Sequence, residues 1–115
     1  MKKINIVKSN REFNEVINKG IKHKNTIFYL YILKNDYKYN RYGIAVSKKI
    51  GNAVIRNKYK RQIKDIIDDI LVPNIMSDFV FIVRPNIKNF KYSEFKEETI
   101  KLINKLGENY EKHNI

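Results

Sequence analysis

An α/β sandwich, one small sheet with helices against it, is the fold class this sequence predicts, and three stretches carry the prediction. At roughly 100° per residue, Ile55, Tyr59, Ile63, Ile66, Ile67 and Ile70 share one side of a helix, and Arg56, Asn57, Lys60, Arg61 and Lys64 share the other. Residues 25–34 are rich in aromatic and branched side chains, the composition of a strand. Residues 78–84 carry the run FVFIV, apolar on both faces, as a central strand requires. The order is αββαβα, with a short extra strand near His23 as an option. A chain of 115 residues makes one small domain with one core, and it shows no repeat, linker or domain boundary.

Taken in order, residues 1–8 read as a basic, loosely ordered lead-in. Ser9 or Asn10 caps a helix that runs to about Lys19 and ends at Gly20. Phe13, Val16 and Ile17 form its apolar stripe; Val16 suits core packing, and Phe13 is open to a second role. Lys22, His23 and Lys24 form a basic loop. His23 has no acidic or histidine neighbour in sequence to make a metal site or a proton relay with it.

In the first long strand, Phe28, Leu30 and Ile32 face the core, and Ile27, Tyr29, Tyr31 and Leu33 make the other face. Two tyrosines on the less apolar face are what base stacking would use. An ordinary strand with wet hydroxyls would look the same. Residues 35–40 are a polar turn. Residues 41–47 are a second strand, with Tyr42, Ile44 and Val46 on one face and Gly43, Ala45 and Ser47 on the other. The small face leaves room for another molecule or for a neighbouring side chain. Gly51 lets the chain turn and Asn52 caps a helix from Ala53 to about residues 71–73. The third strand is expected to be parallel to the second across that helix, stopped by Pro85. A last helix spans about 93–106, with Ser93 and Lys96–Glu97 as a loose capping arrangement. Phe95, Ile100, Leu102, Ile103 and Leu106 form its apolar side, and Gly107 ends it.

Charge narrows the function. Lys and Arg number 24 against 12 Asp and Glu, for a net charge of +12. Such an excess repels itself unless a polyanion is the partner, which puts nucleic acid first and an anionic membrane surface second. The charge is concentrated: residues 47–64 hold Lys48, Lys49, Arg56, Lys58, Lys60, Arg61 and Lys64 and no acidic residue. Soluble helices usually interleave signs. Asn57 adds an amide that both donates and accepts, and a helix N-terminus offers free N–H groups to a phosphate. Asp65, Asp68 and Asp69 return only in the last turns, against the helix dipole. Asp65 and Asp69, spaced i,i+4, are the best pair for a stand-alone nuclease, although such a pair is more often simply solvated. A DNA-binding helix-turn-helix lacks its preceding helix.

There is no cysteine, so disulfides and thiolate metal sites are excluded, as suits a reducing cytosol. The N-terminus has no apolar run long enough for a signal peptide, and the longest apolar runs are far short of a membrane span. A cytoplasmic protein with no membrane partner is expected.

The stretch from Arg41 to Arg61, RYGIAVSKKIGNAVIRNKYKR, resembles the protein component of bacterial ribonuclease P. That family runs from a strand ending Val-Ser-Lys-Lys, through Gly-Asn-Ala-Val, into Arg-Asn-Arg-x-Lys-Arg. Lys48, Lys49, Gly51, Asn52, Arg56, Asn57, Lys60 and Arg61 match. Lys58 stands where the family usually has arginine, which keeps the charge and loses the planar fork. Length, the Phe13-x-x-Val16-x-x-x-Gly20 pattern and the 78–84 strand extend the resemblance over most of the chain. The resemblance implies a left-handed βαβ crossover, which the general rule would not predict. It also implies that the protein holds no catalytic residue. A large RNA subunit with Mg2+ cuts the 5′ leader from precursor tRNA, while the protein binds that RNA through Lys48, Lys49, Asn52, Arg56, Asn57, Lys58, Lys60, Arg61 and Lys64. The single-stranded leader would lie in a cleft built from Phe13, Ile17, Tyr29, Tyr31 and Ser47, Ile17 standing where relatives often carry phenylalanine. Catalytic RNA and precursor tRNA are then the partners, with no protein partner and no cofactor in the protein itself. The alternative is a structural or ribosomal-type RNA-binding protein without a processing role.

Overall fold

The computed structural model describes residues 1–2, 5–70 and 72–113, with side chains to Leu106. The elements are α1 (Asn10–Lys19), β1 (Ile21–Lys24), β2 (Phe28–Lys34), β3 (Arg41–Ala45), α2 (Ala53–Asp69), β4 (Ser77–Val83), a 3-10 turn (Pro85–Asn89) and α3 (Tyr92–His113). The sheet order is β1-β2-β4-β3. β2 is antiparallel to both β1 and β4, while β3 and β4 are parallel, so α2 is the crossover of a βαβ unit. β4 is buried along almost its whole length, as its doubly apolar run requires.

The main core lies between one face of the sheet and the two long helices. Phe28, Leu30 and Ile32 of β2, Ile44 of β3, and Phe79, Phe81 and Val83 of β4 meet Ile63, Ile66 and Ile67 of α2 and Phe95, Leu102, Ile103 and Leu106 of α3. Phe28 and Phe81 touch edge to face at 5.6 Å. The short α1 crosses part of the opposite face, over β2 and β4, where Val16 and Val80 are both buried.

Local chemistry explains the boundaries. Ser9 Oγ accepts the Glu12 N–H at 3.1 Å and donates to Glu12 Oε1, a side-chain N-cap that starts α1. Gly20 follows α1 in extended conformation, and any side chain there would strike the carbonyl oxygens of Val16 and Ile32. Asn52 Oδ1 accepts the Ile55 N–H and starts α2. At α3 the capping falls on other residues than expected: Glu94 Oε1 accepts the Lys91 N–H.

Several expectations are corrected. The lead-in is not loose where it is described: Ile6 bridges Tyr42 in parallel, Val7 donates to the Tyr42 carbonyl at 2.9 Å, and Val7 is buried. It thereby covers the open edge of β3. Around His23 the optional short strand of the expected element order is present as β1, and the alternative reading of Lys22, His23 and Lys24 as a loop is not. β2 starts at Phe28 because Asn25 Oδ1 accepts both the Ile27 and Phe28 N–H groups, closing a turn. Ile27 is therefore not on the tyrosine face; it is fully buried in the main core. β3 ends at Ala45, short of Ser47. Gly51 has no positive φ; its missing side chain makes room for Ile55, which is itself 40% exposed rather than docked in the core. α2 ends at Asp69, short of the expected end at about 71–73; Leu71 lies outside the described residues, and Val72 and Pro73 are not helical. α3 runs through Gly107 to His113. Asn40 had no expected role, yet it is buried. Its Oδ1 accepts the Ile75 and Ser77 N–H groups and its Nδ2 donates to the Pro73 carbonyl, tying the α2–β4 connection to β3.

Candidate nucleic-acid interface

Strand register lines up three rows on the sheet face that α1 crosses. They are Leu33–Asp78–Arg41, Tyr31–Val80–Gly43 and Tyr29–Ile82–Ala45. β1 extends the last two, Lys22 opposite Tyr31 and Lys24 opposite Tyr29.

The first row is closed. Arg41 Nε and Nη2 donate to Asp78 Oδ1 and Oδ2 at 2.8 and 2.7 Å, and Nη2 also lies 2.6 Å from Glu12 Oε2. The Tyr37 ring lies 4.3 Å from the guanidinium. Arg41 and Asp78 are both buried. Hydrogen bonding to Asp78 drives the Arg41 pKa still higher against the pull of burial, with Glu12 adding to it. At Glu12, burial pushes the carboxyl up, but Arg41 and Ser9 outweigh it and hold the group below its ordinary value. Glu12 thus joins the α1 cap to the sheet. A cavity of about 260 Å³ opens beside this ion triad, but its charges already satisfy one another.

The second row is where α1 meets the sheet over a glycine. The Phe13 ring lies on Gly43, where a Cβ would come within 2.6 Å of its Cζ. Phe13, Ile17 and Tyr31 are all half-exposed, with buried Val80 between Tyr31 and Gly43 in the row, so aromatic and apolar side chains are open to solvent on this face. The third row, beyond the reach of α1, carries Tyr29 with Lys22 Nζ at 4.4 Å and the Arg84 guanidinium at 4.9 Å from its ring centre. Ser47 lies past the end of β3, exposed, in a turn closed by the Ile50 N–H to Ser47 carbonyl bond.

On α2, Asn57, Lys58 and Arg61 are exposed and Arg56, Lys60 and Lys64 half-exposed, opposite buried Ile63, Ile66 and Ile67. Lys48, Lys49 and Asn52 are exposed in the loop before it. Among the described residues none of these cations is in an ion pair. The three aspartates do not converge: Asp68 pairs with the N-terminal ammonium at 2.7 Å and Asp69 with Lys96 at 3.8 Å. Among the described residues no three His, Asp or Glu side chains gather as a metal site, and no helix is long and apolar enough to cross a membrane.

A sheet face with half-exposed aromatics and a helix whose basic side chains are in no ion pair among the described residues thus occupy one small chain. The family model described as Ribonuclease P matches residues 1–107. The chain belongs to the ribonuclease P protein family. It is 44% identical over 105 residues to the ribonuclease P protein component of Mesoplasma florum, covering 90% of this chain and 96% of that one. Among solved structures it is similar to a Staphylococcus aureus RNase P protein mutant described as defective in mRNA degradation activity. That match has a TM-score of 0.80 and 29% identity, over 91% of this chain and 90% of that one. The RNase P protein of Thermotoga maritima matches with a TM-score of 0.75 and 27% identity, over 84% of this chain and 93% of that one.

Within this ribonuclease P family fold, Phe13 lies over Gly43 in the same row as Tyr31, Ile17 follows one turn along α1, and Tyr29 lies one row on. Ser47 stands at the mouth of the basic loop rather than on a strand. Lys22, Lys24 and Arg84 also stand on this face, where sequence reasoning did not place them. Arg84 is within reach of parity, since Val80, Ile82 and Arg84 alternate along β4 and its extension. Lys22 and Lys24 are hidden because the composition around them reads as a loop.

Proposed function

We propose that this chain is the protein subunit of a ribonuclease P holoenzyme that removes the 5′ leader from precursor tRNA. The basic loop and α2 bind the catalytic RNA subunit, and the sheet face that α1 crosses holds the unpaired leader. Mg2+ held with the RNA supplies the activated water for phosphodiester hydrolysis. The protein's own residues bind and orient. The observation that carries this reading is the Phe13 ring seated on Gly43 at one end of a row whose other end is half-exposed Tyr31.

Aromatic faces hold unpaired bases without regard to sequence, at about 1–3 kcal/mol per base, which suits leaders that differ from one tRNA to the next. Lys48, Lys49, Arg56, Lys58, Lys60, Arg61 and Lys64 add salt-dependent affinity with little sequence information. Gripping the leader beside the RNA active site fixes the scissile bond in place.

The test is binding of one tRNA, with and without a short 5′ leader, to the RNA subunit with and without the protein, at fixed salt and low Mg2+. A gain that needs both leader and protein is expected, and Phe13→Ala with Tyr31→Ala should remove it while leaving leaderless tRNA unaffected. Equal losses on both substrates would sink the cleft assignment. No gain from the leader at all would favour a general structural RNA-binding protein.

A further inference from the structure

The first turn of α2 puts an aliphatic side chain where the rest of that face is basic. Val54, Asn57, Lys58 and Arg61 follow one another at helical spacing, and all four are exposed. Val54 is 78% exposed, the most open of the large apolar side chains among the described residues, and its neighbour Ile55 is exposed too. We infer that Val54, with Ile55 at its shoulder, packs against the face of an unpaired nucleobase in the RNA subunit and gives the basic interface an apolar anchor. The inference rests on the reading that α2 binds the RNA subunit.

Local stability does not account for the pair. Asn52 caps the helix, so Val54 and Ile55 occupy its second and third positions. An acidic side chain there favours the positive end of the helix dipole, and a Glu or Gln at the third position would complete a capping box. The first turn of α2 holds no acidic residue at all. Valine is also a weaker helix former than Glu, Gln or Lys. Nor does the core need Val54, since the residues that α2 buries are Ile63, Ile66 and Ile67. Ile55 does have a local contact: it packs over Gly51, where a Cβ would come within 2.9 Å of its Cγ2. Val54 has no such partner to explain it, and its side chain stands in water on the face that carries the cations.

The occupant follows from charge and from shape. Lys48 and Lys49 precede the pair and Lys58 follows Val54 by one turn; among the described residues none of the three is in an ion pair, and residues 47–64 hold no acidic residue. A polyanion is the complement of such a setting. Its phosphates satisfy the cations, but they gain nothing from an aliphatic side chain. Bases inside an RNA duplex are covered by their stacked neighbours, and the major groove is too deep and narrow for a side chain to read. An unpaired base can be splayed out and can offer its apolar face. Phosphate contacts carry little sequence information, so a base contact at Val54 is what would let α2 tell one folded RNA from another.

The experiment titrates the RNA subunit with the full chain, without tRNA and over a range of salt, comparing Val54→Ser, Val54→Leu and Lys58→Gln with the wild type. Val54→Ser should lose roughly fivefold to tenfold in affinity, the worth of partly burying a valine, by the same factor at every salt concentration. Lys58→Gln should instead make the slope of log affinity against log salt shallower by about 0.7–0.9, the share of one phosphate. Val54→Leu, which keeps an apolar surface, should stay within about twofold of the wild type. The urea midpoint of Val54→Ser should match the wild type, because the side chain is exposed in the free protein. Chemical probing should find an unpaired nucleotide that the wild type shields and Val54→Ser leaves open. Removing that base should weaken the wild-type complex and cost Val54→Ser nothing further. Val54→Ser binding as tightly as the wild type, or losing affinity only at low salt, would overturn the inference. A loss that tracks the 2′-hydroxyls of a paired segment, with no base involved, would overturn it in favour of packing in the shallow groove. A wild-type chain that binds the RNA subunit no better than an unrelated structured RNA of equal length would instead refute the RNA-subunit reading itself.

Discussion

Arg41 and Arg84 occupy the same sheet face, one at each end, and each has a tyrosine ring beside it, Tyr37 at 4.3 Å and Tyr29 at 4.9 Å. Only Arg41 is buried, and only Arg41 has carboxylates, Glu12 and Asp78, within 2.7 Å. The contrast shows that residue type does not set the job of a cation; the counter-charge supplied by other elements does. Where two carboxylates neutralise it, an arginine pins α1 to the sheet. Where none does, an arginine is held by a tyrosine ring and a backbone carbonyl alone.

The largest effect should come from breaking the closed end. Arg41→Ala strands the buried Asp78 carboxylate and should cost about 3–5 kcal/mol, read as a drop in the urea midpoint. Arg84→Ala, which loses one hydrogen bond to a carbonyl, should cost about 1 kcal/mol. Equal losses would erase the distinction between the two ends. Between them lies Gly43: Gly43→Ala forces the Phe13 ring off the sheet and should cost about 1–3 kcal/mol by overpacking. It should also reduce the leader-dependent gain in binding.

The smallest effects are in pH. Glu12 has its pKa held below the ordinary 4.5, so its contribution to stability is present above that value and is lost as pH falls through the lower folded-state value. Glu12→Gln should flatten that part of the acid limb of a stability–pH curve. His23 is pushed below 6.5 by burial and then by the charge of Lys105, so the unfolded chain takes up its proton first. Stability should fall as pH drops below about 6.5 and level off below the folded value, and His23→Gln should remove that step. A step of the opposite sign would place His23 against an acidic partner instead.

Much of the fold was legible because it is written in short-range pattern. The Ser9 and Asn52 caps, the parity of Phe28, Leu30 and Ile32, and the apolar stripe of α2 each depend on neighbours within a turn or a strand. What misled was also local chemistry overruled from afar. Gly107 has the residue type of a helix end, yet the α3 backbone continues past it. Residues 21–24 look like a charged loop until β2 offers them an edge to pair with. Ile27 alternates with the tyrosines in sequence, but Asn25 turns the chain before it.

The sequence by itself determined the basic stripe of α2, the aromatic face of β2 and the central apolar strand, because periodicity alone sorts side chains onto faces. It also carried the resemblance that matched the family. Only the tertiary structure decided which cations are neutralised and which are free. Arg41 meets Asp78 across 37 positions and Arg84 meets Tyr29 across strands that pair by register, and no local rule links residues so far apart. Charge is a property of a residue; its compensation is a property of the fold.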